Sequence, residues 1–138
     1  MIKYFFSILF LFLVDRFTKV YLLKQPSLDN QGGFIDLHLN SNIAFSWPTP
    51  DFILYLVIII ILVALISVWL KNFKENTVVI WPLGLIIIGA ISNLLDRLSY
   101  GAVVDFINVP FFTVFNLSDI YIFLGVVWIL VKLIKLKQ

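Results

Sequence analysis

Two short stretches carry the side chains best able to do chemistry. Asn93 and Asp96 stand in "ISNLLDR", residues 91–97, and Asn116 and Asp119 in "NLSD", residues 116–119. These two copies of Asn-x-x-Asp lie 23 residues apart, each at the edge of an apolar run. A charge at the centre of a bilayer costs roughly 2.5–3.5 kcal/mol on insertion scales, so a carboxylate kept at membrane depth is a functional candidate. Two carboxylates held close cannot both ionise easily, and the proton they share makes one a base and the other an acid. Such a pair can hydrolyse a peptide bond: the ionised member takes a proton from water while the protonated member donates to the carbonyl oxygen. The simpler alternative is that Asp96 pairs with Arg97 or Lys19 in a salt bridge at the membrane edge and Asp119 only caps a helix. The duplicated motif favours chemistry, with Asp96 and Asp119 as the expected pair. On a helix each Asn, three residues before its Asp, shares a face with it and can orient it.

The elements that position these groups follow from composition. The 138 residues are 62% hydrophobic and 13% charged, far from a soluble domain. Residues 52–70 hold no charge for 19 positions and 78–95 none for 18, enough at 1.5 Å per residue to cross roughly 30 Å of hydrocarbon. Together with 2–23 and 117–135, and with the third span carried to 97, they predict a mainly α membrane protein of four transmembrane helices in a single domain, 1–138. The N-terminal run has the look of a signal peptide, Lys3 followed by apolar Tyr4–Val14, but Asp15 and Arg16 follow where a cleavage site would stand, so it is read as a retained span. Lys71 and Lys74 in the connection after the second span, and Lys132, Lys135 and Lys137 at the end, predict both termini in the cytoplasm and the loops 24–51 and 98–116 outside. Asp96 and Asp119 then share the outer face.

The first outer loop alternates apolar and polar residues from Phe34 to Leu39 and predicts a small extracytoplasmic β-sheet. The second, broken by Gly101 and Pro110, predicts a segment lying in the membrane interface, with "VPFFTVF" at 109–115 as its anchor or as a wall of the site. Trp47, Trp69, Trp81 and Trp128 suit an interfacial belt. Gly84, Gly89, Ala90 and Ser92 are the small residues that allow close helix packing.

In this order and spacing, "DRFTK" (15–19), "LNSNIAF" (39–45), "GAISNLLDR" (89–97), "GAVVDF" (101–106) and "FNLSD" (115–119) resemble the bacterial lipoprotein signal peptidases, signal peptidase II, over nearly the whole chain. The resemblance implies a membrane aspartyl endopeptidase of the bacterial cytoplasmic membrane. Its substrates would be diacylglyceryl-modified prolipoproteins, cut before the lipidated cysteine at the outer face. It assigns Asp96 and Asp119 as the dyad, surrounded by Asn93, Arg97 and Asn116. Asp15 and Lys19 become a supporting polar cluster, and Asn40 the loop asparagine of the family. The family usually has Gly where Asn42 stands and Ala at Ile43 and Ser118.

Other classes fit less well. With no cysteine and a single histidine, His38, no thiolate or multi-histidine metal site is available, and no cofactor is expected. A net charge of +2, gathered at helix ends, does not suggest nucleic-acid binding. A small proton-coupled transporter or channel subunit is the alternative; it needs carboxylates near mid-membrane and a polar path to both sides. Membrane phospholipid is an expected partner, and one chain holds every residue the chemistry needs, which predicts a functional monomer. Helix polarity favours an anion by roughly 0.3–1 kcal/mol at the start of the fourth span and disfavours one at the end of the third, which makes Asp119 the base and Asp96 the acid. Asparagine at either position is expected to abolish cleavage and leave insertion intact.

Overall fold

A computed structural model describes residues 2–25, 33–41, 51–75, 78–111 and 113–135. The described residues form four helices: α1 (Ile2–Leu23), α2 (Asp51–Glu75), α3 (Ile80–Tyr100) and α4 (Leu117–Lys135). The apolar runs set these lengths, and the ends agree with the sequence expectation to within five residues. Among the described residues, three helical stretches are long and apolar enough to cross a membrane: Phe52–Asn72, Ile80–Tyr100 and Leu117–Lys135. α1 has the length, but Asp15, Arg16 and Lys19 cluster in its second half. α2 presents Phe52, Ile60 and Val63 outward, and α4 presents Phe123 and Ile134. Side chains of that kind suit a lipid surrounding, since nothing polar shields them.

Three strands, β1 (Ile35–Asn40), β2 (Val103–Val109) and β3 (Thr113–Phe115), form an antiparallel sheet in the order β1-β2-β3. β1 realises the alternation seen in the first loop. β2 and β3 add to the expectation for 98–116, which foresaw an interfacial segment and no strands: Val103–Val109 and Thr113–Phe115 belong to the same sheet as β1. His38 pairs with Asp105 and Asn40 with Val103 in the β1–β2 ladder. Val104 and Phe106 are buried with Leu22 of α1 and Leu37 of β1, and Leu117 of α4 packs against them. That small apolar core fixes the sheet over the ends of α1 and α4. Asn42, Ile43 and Trp47 lie outside the described residues.

Two glycines govern where α3 begins to matter for the site. Gly101 ends α3 in the left-handed conformation, φ 72°, and its N–H bonds the Arg97 carbonyl. A glycine adopts that conformation without the Cβ clash of other residues, so the chain turns there directly into β2. Gly89 marks the close approach of α3 to α4: a Cβ there would sit 2.5 Å from the Ser118 carbonyl oxygen and 2.7 Å from Ile122 Cγ1. The start of α4 therefore rests on α3 through an absent side chain. Gly89→Ala is expected to lower stability by about 1–3 kcal/mol, the usual cost of overpacking. Thermal unfolding in detergent checks it; an unchanged transition would show that α4 can move aside freely.

Candidate active site

The motif at 116–119 is a reciprocal helix cap. Asn116 Oδ1 accepts the Asp119 backbone N–H at 3.1 Å, and Asp119 Oδ2 accepts the Asn116 backbone N–H at 3.2 Å. The spacing is that of a capping box, in which cap residue and third helical residue satisfy each other's free donors. Asp119 is thus held at the N-terminus of α4 with its other oxygen, Oδ1, accepting from Asn93 Nδ2 at 2.9 Å. It remains half-buried, while Asn116 is fully buried.

Asp96 is different in kind. Its side chain is 0% exposed, and so are those of Asp15 and Lys19. Lys19 Nζ lies 2.7 Å from Asp96 Oδ2 and 3.2 Å from Asp15 Oδ2, and donates to Asn93 Oδ1 at 2.9 Å. An ammonium has three N–H donors, and these partners use them all. Arg16 Nη1 donates to Asp96 Oδ1 and, at 3.2 Å, to Ser92 Oγ. The Val104 backbone N–H of β2 lies 3.3 Å from Asp96 Oδ2. Both oxygens of Asp96 are therefore engaged, with a cation on each. The expectation that Asn93 orients its own Asp96 is corrected: its amide spans the gap between Lys19 and Asp119 instead. Helix polarity alone gave no sign of the two cations beside Asp96.

Asp15 joins three helices. Its Oδ1 accepts the Ser118 backbone N–H at 3.0 Å, and its Oδ2 accepts the Ser92 hydroxyl at 2.5 Å. Ser92 is thus a polar link as well as a small residue. Ser118 next to it is fully buried, and its Oγ has no hydrogen-bond partner. Since an unpaired buried hydroxyl costs about 1–3 kcal/mol, Ser118→Ala should be neutral or raise the thermal transition. A marked loss of stability would mean that the hydroxyl is bonded in the membrane.

The carboxylate that the sequence reading left unassigned is Asp105. It is 2% exposed on β2, where Asn40 Nδ2 donates to Oδ2 at 3.1 Å and Asn116 Nδ2 to Oδ1 at 2.6 Å. Burial raises its pKa from 3.8 to about 6; the Asn40 bond opposes this, the nearby charge of Asp119 adds to it, and the Asn116 bond and Lys19 oppose it. Asn116 thus touches Asp105 with its amide and Asp119 with its backbone. Arg97, half-buried, lies within electrostatic reach of Asp105, Asp119 and Asp96, and its carbonyl accepts the Tyr55 hydroxyl of α2 at 3.0 Å.

All eight residues singled out from sequence, Asp15, Lys19, Asn40, Asn93, Asp96, Arg97, Asn116 and Asp119, gather at one end of the helices beside the sheet. Three more belong there: Arg16, Tyr55 and Asp105. Asp105 could have been found by the reasoning applied to the other two, since it is the lone charge in the apolar run "AVVDFINV". His38 is exposed on β1.

Comparison with known proteins identifies the family. Residues 7–135 match the family described as Signal peptidase (SPase) II. The lipoprotein signal peptidase of Buchnera aphidicola subsp. Schizaphis graminum is 34% identical, over 91% of this chain and 89% of its own. That of Streptococcus pneumoniae is 30% identical, over 93% and 90%. A bacterial membrane enzyme solved by the in meso method at 1.9 Å superposes with a TM-score of 0.82 at 27% identity, covering 98% of this chain and 94% of that one. Since the matched stretch spans nearly the whole chain and includes every carboxylate of the cluster, the chain belongs to the signal peptidase II family.

Proposed function

We propose that this protein is a membrane aspartyl endopeptidase that removes the signal peptide of diacylglyceryl-modified prolipoproteins, cutting before the lipidated cysteine, and that Asp119 works with Asp105. The observation that carries the pairing is the Asn116 bridge: one residue bonds both carboxylates, and one of them titrates near 6. Asp119, at a helix N-terminus with two N–H donors on its oxygens, is the base. It takes a proton from water as the water oxygen attacks the scissile carbonyl, and Asp105 gives its proton to the carbonyl oxygen. Collapse of the tetrahedral intermediate breaks the C–N bond: the leaving nitrogen takes the proton from Asp119, and Asp105 recovers its own from the hydroxyl. A pKa drawn toward neutrality suits a group that must both hold and release a proton.

Asp96, bonded by Lys19 and Arg16 on both oxygens, serves as a positioning residue in this reading. It ties the end of α3 to α1 and to the β2 backbone. α1 is the fourth span, because Asp15 and Lys19 are paired and fully buried, which removes much of their cost in lipid. The positive-inside bias puts both termini in the cytoplasm and the site at the outer face, where the diacylglyceryl group can stay among phospholipids while the peptide reaches the carboxylates. A single chain suffices.

Purified protein should release a signal peptide from a diacylglyceryl-modified prolipoprotein and leave the form with an unmodified cysteine essentially uncut; equal cleavage of both would overturn the substrate assignment. The pairing has its own test. A protonated-carboxyl infrared band titrating near pH 6 should be lost in Asp105→Asn and kept in Asp96→Asn; the reverse would return the acid to Asp96. Stability carries the same signature. Because the fold raises the Asp105 pKa, its protonation stabilises the protein in full below 3.8, and this is lost as pH rises through about 6. That slope should be absent from Asp105→Asn.

A further inference from the structure

At the end away from the carboxylates, α3 and α4 enclose a groove of about 360 Å³. Trp81 and Leu85 line it from α3, and Leu124 and Trp128 from α4, with Lys132 and Lys135 at its α4 C-terminal end. The two indole rings are 5.8 Å apart and tilted by 41°. Trp81 is held in place by its Nε1, which donates to Ser7 Oγ of α1 at 3.1 Å. Among the described residues neither lysine makes an ion pair, and Lys132 is half-buried.

We propose that this groove is a binding site for one anionic phospholipid. Its length and its charge both point to that occupant. From Leu124 to Lys135 the helix rises about 16 Å at 1.5 Å per residue, close to the roughly 15 Å depth of one leaflet's hydrocarbon. An acyl chain lying along Leu124 and Trp128 thus brings its phosphate to the level of the two lysines. Lys132 and Lys135 are three residues apart and share a helix face, so both ammonium groups can reach one phosphate. Basic pockets between membrane helices select anionic head groups in this way, and the indole pair lines the part of the groove that an acyl chain would fill. A zwitterionic lipid would fill the apolar part and leave the two positive charges unbalanced. The site is separate from the carboxylates and does not depend on the reaction they perform.

Protein in detergent is titrated with phosphatidylglycerol and with phosphatidylcholine of the same acyl chains, and bound lipid is counted by native mass spectrometry. Wild type should prefer phosphatidylglycerol by at least about fivefold. Lys132→Gln with Lys135→Gln should bring the preference below about twofold with phosphatidylcholine binding unchanged, and Leu124→Trp, which fills the groove, should weaken both lipids. Helix content and prolipoprotein cleavage should be those of wild type in the double lysine variant. Equal binding of the two lipids by wild type would overturn the proposal, as would a preference that survives loss of both lysines. An equal fall in preference on Lys24→Gln, an exposed lysine just beyond α1, would show attraction to positive charge in general and would also overturn it.

Discussion

Asp105→Asn and Asp119→Asn are each expected to lower prolipoprotein cleavage by between about a hundredfold and ten-thousandfold, the range a positioned acid or base contributes. Both proteins should insert and unfold much as wild type does. At position 105 the amide keeps the size of the carboxyl and removes a group whose charge is already disfavoured by burial. At 119 the amide oxygen can still accept from Asn116 or Asn93. Asp96→Asn behaves differently. It leaves Lys19 and Arg16 beside a neutral group, so stability falls by about 3–5 kcal/mol, the typical loss on breaking a buried pair. What remains folded should turn over substrate to a measurable extent. Assaying the three variants at matched folded fraction separates the roles. A folded Asp96→Asn as dead as Asp119→Asn, beside an active Asp105→Asn, would restore Asp96 and Asp119 as the chemical pair.

Lys19→Met is expected to be strongly destabilising. Methionine fills similar space, but it leaves Asp15 without its ammonium and takes from Asp96 one of its two cations, in a place with no access to water. Again about 3–5 kcal/mol is at stake, on the order of a 10 °C fall in Tm for a protein of this size. The companion measurement is the cycle with Asp96→Asn. Since both changes act on one cluster, the double variant should lose less than the sum of the singles by about 0.5–3 kcal/mol. Strict additivity would mean that Lys19 is held by Asp15 alone.

The helices were legible as long apolar runs, and the bounds of α4 (Leu117–Lys135) and α1 (Ile2–Leu23) coincide with those runs to the residue. β1 was legible because apolar and polar residues alternate along it, with Leu37 buried beside exposed His38. β2 was not. Its residues Val103, Val104, Asp105 and Phe106 are all buried, so the period of two that marks a half-exposed strand is erased. Asp105 went unassigned for the same reason: it stood in a stretch read as interfacial loop, where an acid is unremarked. The repeated Asn-x-x-Asp pointed to the right place by spacing, but the copies differ. At 116–119 the asparagine starts a helix and pairs with its own aspartate; at 93–96 it lies inside one and turns to the other helix. Nothing in the four-letter pattern encodes that difference. Arg16 was visible in "DRFTK", yet its partner could be named only once Asp96 and Ser92 were seen across the interface.

The bonds made by Asp15 also bear on the order in which the protein is built. Asp15 closes onto Ser92 and Ser118, partners 77 and 103 residues further along the chain. During synthesis α1 is made first, and beyond the Asp15–Lys19 pair within it, its polar turn has no native partner until α3 has been translated. Over that interval Asp15, Arg16 and Lys19 must stay near water or within the insertion machinery, and α1 can settle to its final depth only when α3 and then α4 arrive. Truncated chains ending before α3 should therefore hold α1 loosely, and the enzyme's assembly is gated by its middle rather than by its beginning.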